Sequence, residues 1–217
     1  MLNLSLADSG SKPLNVLCLG CHSDDIEIGC GGTILRLAQQ YPDALFHWMV
    51  FSAIGVREAE ARHAASLFVD SANLRGPFLK TFRDGFMPFV GAEVKSVLEE
   101  LKSVAPDLVL THYRKDAHQD HRLISELTWN TFRDHLILEY EIPKYDGDLS
   151  QPNFYVPLPD GIYDKKVRCL MDAFGSQRSK RWFQESTFLG MMRLRGMECN
   201  AQSGYAEAFH CRKVVMR

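Results

Sequence analysis

Residues 15–40 read NVLCLGCHSDDIEIGCGGTILRLAQQ, and this stretch decides the fold. Asn15 to Cys21 is an apolar run of the kind that forms a strand buried on both faces of a parallel sheet. Gly32 to Gln40 carries Ile34, Leu35, Leu37 and Ala38 at helical spacing and ends at Tyr41-Pro42-Asp43, a stop signal. Between the two lie His22-Ser23-Asp24-Asp25 and the Gly-rich Gly29-Cys30-Gly31-Gly32-Thr33. The order is strand, loop and helix start, with polar side chains at the carboxyl end of the strand.

The pattern repeats outward. Leu45 to Phe51 is strand-like, and Arg57 to Phe68 is helical, with Ala61, Ala64, Ala65 and Phe68 on one face. Val94, Val97, Leu98, Leu101 and Val104 mark an amphipathic helix stopped at Ala105-Pro106-Asp107, and Leu108-Val109-Leu110 opens a strand that ends at Thr111 or His112. Alternating strands and helices predict an α/β fold with a mostly parallel sheet covered by helices on both faces. The stretch 140–159 holds four prolines and reads as loops with short strands, a rim for a site. Helical patterns follow at Val167 to Phe174 and Phe188 to Arg195, then an apolar run at Val214-Val215-Met216. With no repeat or linker, residues 1–217 read as a single domain.

Composition limits the partners. A chain of 217 residues with 46% hydrophobic content can bury roughly 70% of its unfolded surface. A net charge of −2 gives no bulk attraction to nucleic acid. The N-terminus lacks the features of a secretory signal, and no apolar run is long enough to span a membrane, so a cytoplasmic location is expected and the six cysteines are expected to be reduced. Cys18 and Cys21 form a lone C-x-x-C, but i and i+3 of a strand face opposite ways and no second pair completes a zinc set. Charge is uneven: residues 1–164 hold 14 Lys or Arg against 23 Asp or Glu, and residues 165–217 hold 11 against 4. Two solvated faces explain this; an anionic handle on a substrate, gripped by Arg178, Lys180 and Arg181, is the functional reading.

The second chemically loaded segment, His118-Gln119-Asp120-His121, follows the Leu108 strand. In an open α/β sheet, ligands bind outside the carboxyl ends of strands, so both segments can converge. A hydrolytic zinc site has three protein ligands and one open position, which His22, Asp25 and His121 can supply. Asp24, beside a ligand, is free to take a proton from water. His118 suits an oxyanion or a leaving amine, and Asp120 suits a hydrogen bond that fixes an imidazole tautomer. The Gly-rich segment is a poor dinucleotide fingerprint, because Ile34 occupies the third glycine position and no acidic residue ends the next strand. His47, His63, His112, His135 and His210 lack acidic partners at ligand spacing and read as structural, with His112 nearest the second motif.

With both motifs in view, the chain resembles the PIG-L (LmbE-like) family of zinc-dependent N-deacetylases, over most of its length. The family's motifs are usually Ala-His-Pro-Asp-Asp and His-Pro-Asp-His; here Cys21, Ser23 and Gln119 depart from them without removing a ligand. The resemblance implies a Rossmann-like fold, Zn2+ or another divalent ion such as Fe2+ on His22, Asp25 and His121, Asp24 as general base, and His118 at the oxyanion. It further implies that Arg57 and Asp84 hold sugar hydroxyls and that Glu207, in Tyr205-Ala206-Glu207, supports packing. The implied reaction removes acetyl from an N-acetylglucosamine-type sugar, so the partner is a small-molecule or glycan substrate, and a homo-oligomer is compatible. The alternatives are an amidase for a larger sugar conjugate and a catalytically silent metal- or sugar-binding module.

Overall fold

The computed structural model describes residue 6 and residues 12–215; the rest of the N-terminal segment read above for a leader, and Met216, lie outside the described residues. Among the described residues, seven strands form one sheet: β1 (Asn15–His22), β2 (Leu45–Ser52), β3 (Leu74–Leu79), β4 (Leu108–His112), β5 (Leu136–Tyr140), β6 (Phe154–Pro157) and β7 (Ala206–Cys211). Their order is β3-β2-β1-β4-β5-β7-β6. The first five are parallel, and β7 runs antiparallel between β5 and β6. The sheet is therefore mostly parallel, as predicted.

Strand alternation divides the core into two layers. Val16 and Cys18 pack in the layer with Ile34 of α1 (Asp25–Gln40), Phe68 of α2 (Val56–Phe68), Leu170 of α5 (Ile162–Ala173) and Phe188 of α6 (Glu185–Glu198). Leu17, Leu19 and Cys21 pack in the other, with Val94 and Leu98 of α3 (Gly91–Glu100) and Ile124 of α4 (Gln119–Thr131). Cys18 and Cys21 thus lie in opposite layers and cannot share an ion.

Sequence periodicity does not pick out β3, β5 or β7. β3 is an edge strand with half-exposed positions and a proline, Pro77, tolerated there because one side of an edge needs no donor. The Val214-Val215 run lies past β7 and is exposed.

The largest local departure from the sequence reading is in α1. The helix begins at Asp25, not Gly32, and the Gly-rich segment lies inside it, broken at Cys30 (φ −144°, ψ 15°). The break releases the amides of Gly32 and Thr33, which donate to the two oxygens of Glu207 at 2.8 and 2.6 Å. Lys166 closes the gap, its Nζ 2.6 Å from the Ile28 carbonyl and 2.6 Å from Glu207 Oε1. Gly29 is required by close approach: a Cβ there would stand 2.1 Å from Tyr140 Cδ2.

Glu27, in the first turn of α1, is buried, and neither carboxylate oxygen has a hydrogen-bond partner among the described residues. Burial pushes its pKa well above the ordinary range. A carboxyl protonated in the fold but ionised in the unfolded chain contributes stability that is complete below the unfolded pKa of ~4.3 and is lost as pH rises through the folded value. Glu27→Gln should remove this dependence. By calorimetry, the Tm of the variant minus that of the parent should be near zero at about pH 4 and grow towards about pH 8; a gap independent of pH would contradict the buried, neutral carboxyl.

Candidate metal centre

The crossovers from β1 run towards β2 on one side, while β4 lies on the other. The carboxyl ends of β1 and β4 therefore flank the crevice where α/β sheets bind ligands. His22 is the last residue of β1, Asp24 sits at the N-cap of α1, and Asp25 is its first residue. The Asp24 side chain makes no capping bond, and Asp25 Oδ2 turns back to accept from His22 N at 2.6 Å. Across the crevice the second motif is a helix start, where the sequence suggests a loop. His118 caps α4, its Nδ1 accepting from Asp120 N at 3.3 Å, and His121 lies in the first turn. That i,i+3 spacing stacks the two rings at 4.6 Å.

Three of the predicted residues meet at one point. His22 Nδ1 is 3.1 Å from His121 Nε2 and 3.3 Å from Asp25 Oδ2, which is 3.5 Å from His121 Nε2. A tetrahedron with metal–ligand bonds of about 2.0–2.1 Å has edges of roughly 3.3 Å, so this triangle is one face of such a site with the fourth corner open. The remaining ring nitrogens agree. His22 Nε2 is 2.9 Å from Asp84 Oδ1 and His121 Nδ1 is 3.0 Å from Asp116 Oδ2. Each imidazole can thus donate its far N–H to a carboxylate while its near lone pair faces the centre, the arrangement that orients histidine ligands. Burial raises the Asp25 pKa, but the imidazoles of His121, His112 and His22 around it hold the carboxyl well below its usual range. The donor set fits a divalent cation.

The supporting residues differ in part from the sequence reading. The hydrogen bond to an imidazole expected of Asp120 is made instead by Asp116. Asp120 accepts from Gly85 N and Met87 N at 2.6 and 3.1 Å and stands 3.8 Å from His22 Nε2, so it anchors the loop that presents Asp84. Asp84, held down at about 2 by its hydrogen bond from His22, contacts that imidazole. Arg57 donates to Asp24 Oδ1 at 2.5 Å; Asp24 Oδ2 makes no hydrogen bond among the described residues.

His112, read as structural, is fully buried directly behind the site. It stacks on His121 at 4.0 Å, 3.3 Å from Asp25 Oδ2. Its Nε2 lone pair accepts from Cys21 N at 2.9 Å, which removes it from ligation. Burial lowers its pKa to about 4, so it is neutral. Burial, and then the neighbouring His121 and His22, also lower the pKa of His118. Because His118 Nδ1 accepts from Asp120 N, its proton is on Nε2, the nitrogen available to a ligand.

His22, Asp24, Asp25, His118 and His121 line a cavity of about 600 Å³, whose rim includes Ile54, Arg83, Lys144, Tyr145, Lys180 and Trp182. Of the three cations expected to grip an anionic handle, only Lys180 lines it; the Arg178 guanidinium bonds the Met171 carbonyl.

The α/β fold is shared with several solved proteins. N,N'-diacetylchitobiose deacetylase from Pyrococcus horikoshii matches with a TM-score of 0.69 at 20% identity, covering 91% of this chain and 83% of its own. A conserved protein from Thermus thermophilus matches at 0.75 and 20% identity, covering 94% and 97%. The 4-carboxy-2-hydroxymuconate hydratase from Pseudomonas putida KT2440 matches at 0.70 and 17% identity, covering 94% and 98%. At these identities the likeness is one of fold. Residues 17–132 match the PIG-L family, described as GlcNAc-PI de-N-acetylase, and the chain belongs to that family. A 40-residue stretch is 45% identical to an uncharacterized deacetylase of Escherichia coli (strain K12), spanning 18% of this chain and 22% of that relative.

Proposed function

We propose that the protein is a divalent-metal-dependent deacetylase that hydrolyses the acetamide of an N-acetylated amino sugar. The observation that carries this reading is the triangle of His22, Asp25 and His121 with Asp24 beside it and an N–H of His118 facing the same space. The fold alone does not choose the reaction, since it also carries a hydratase. When bound by His22, Asp25 and His121, zinc or Fe2+ would polarise a carbonyl and acidify a water.

The protein's own groups account for the proton movements. Asp24, one oxygen held by Arg57, takes the proton of the attacking water at Oδ2. A C–O bond forms at the acetyl carbon, and the carbonyl oxygen, gaining negative charge, receives the His118 Nε2–H, a contact worth about 3 to 4 kcal/mol where such donors have been removed. The C–N bond then breaks, and the proton held by Asp24 passes to the departing sugar amine, leaving acetate. Asp84 and Arg57, at the cavity wall, contact the sugar hydroxyls; an amidase on a larger conjugate would use the same groups and a differently filled rim.

The test is acetate release from N-acetylglucosamine, chitobiose and glycoside substrates by metal-loaded protein. Release lost on chelation and in His121→Ala supports the reading; metal-loaded protein that releases none from any of them overturns it. Lys180 adds a specificity prediction. N-acetylglucosamine 1-phosphate should show a higher kcat/KM than the neutral methyl glycoside at low salt, with the advantage shrinking as salt screens it. Equal values at all ionic strengths would remove the anionic handle.

A further inference from the structure

The carboxylate that orients His121 is itself gripped. Lys144, on the loop between β5 and β6, places Nζ 3.0 Å from Asp116 Oδ2 and 2.5 Å from Asp148 Oδ2. Its side chain is only 11% exposed although it lines the cavity. The same Asp116 oxygen faces His121 Nδ1 at 3.0 Å, and the other accepts from His118 N at 2.7 Å, so one carboxylate serves both histidines of the second motif. Asp148 accepts from Ala117 N at 2.6 Å. Lys144 and Asp148 therefore hold the segment leading into α4 from two sides. The adjacent Tyr145 lines the cavity, and its hydroxyl accepts from Arg181 N at 3.2 Å.

We infer that Lys144 is a positioning residue of the metal centre: it locks Asp116 onto His121 and, through Tyr145, holds the cavity rim in register with the metal-binding segment. This rests on the metal site proposed above and adds to it a residue that touches neither the ion nor the reacting atoms. The physical reason is charge. Without the ammonium, Asp116 and Asp148 would be two carboxylates in a largely buried space with no cation between them, and each would gain by rotating towards water. His121 would then lose its Nδ1 acceptor, and with it the constraint on ring angle and tautomer. Partners that orient a histidine ligand are typically worth about 10- to 100-fold in metal affinity.

The experiment titrates metal-free full-length protein with zinc against a competing chelator. Lys144→Met should weaken zinc binding about 10- to 100-fold, and Lys144→Arg, which can keep the ion pair, should restore most of it. In an Asp116→Asn background the Lys144→Met change should cost nothing further, because residues acting through one contact are not additive. The visible absorption of the cobalt-substituted protein should shift in Lys144→Met and not in Lys144→Arg. Parent-like zinc affinity in a folded Lys144→Met or Lys144→Gln protein, or losses that add with Asp116→Asn, would overturn the inference while leaving the metal site intact. If the parent takes up no zinc, or His121→Ala loses none, the metal reading itself fails and this inference with it.

Discussion

Asp24→Asn should retain the divalent ion and lower turnover by about 10²- to 10⁴-fold, the range for a positioned general base. The substitution is a clean one here. Arg57 donates to Asp24 Oδ1, and an asparagine carbonyl in the same place still accepts that bond. The Asp24 side chain caps no helix amide, so α1 loses nothing. What disappears is the ability of the second oxygen to accept a proton. The proposed ligands are His22, Asp25 and His121, so metal content by elemental analysis should match the parent. Acetate release within a few-fold of the parent would remove Asp24 from its role. Loss of the ion would mean that the triangle does not hold it alone. An unchanged ligand affinity with no turnover in either protein would favour the silent binding module.

The second large effect is on stability. Glu207→Ala should cost about 3–5 kcal/mol, the usual result of removing one partner of a buried ion pair, which for a chain of this size corresponds to a fall in Tm of roughly 10 °C. Glu207 and Lys166 are both buried, and they repair the break in α1: the carboxylate takes the amides of Gly32 and Thr33, and the ammonium takes the carbonyl of Ile28. Removing the carboxylate leaves an uncompensated ammonium and two amides without acceptors. Adding Lys166→Met to Glu207→Ala should recover part of the loss, since the stranded charge goes with it. A Glu207→Ala protein that melts within about 2 °C of the parent would show that water or rearrangement satisfies the break at little cost.

The Lys166–Glu207 repair also marks the limit of what periodicity can report. Strand and helix order around β1, β2 and β4 is readable because apolar spacing is local: a residue's neighbours along the chain decide which face it presents. The same locality makes His22, Asp25 and His121 stand out, since each motif comes after an apolar run and strand ends in such sheets share one crevice. The helix break at Cys30 is hidden because glycines look alike whether they form a turn or sit in a helix pressed against Tyr140. Its repair comes from Glu207, 175 positions beyond Gly32, and no local pattern encodes that separation.

Asp116 leaves a faint signal, a carboxylate shortly before His118, but which of Asp116 and Asp120 serves His121 depends on where the start of α4 aims each side chain. Lys144 leaves none, and His112 leaves only its place at the end of the strand that feeds the second motif. The alternation of elements, the proposed ligand triad and the proposed base beside it are all written locally in the chain, because they follow from burial period and from chemistry packed into short segments. Which carboxylate orients which imidazole, that Arg57 grips Asp24, and that Lys144 holds Asp116 are settled on folding alone, because polar pairing is set by the meeting of distant segments at distances of a few ångströms.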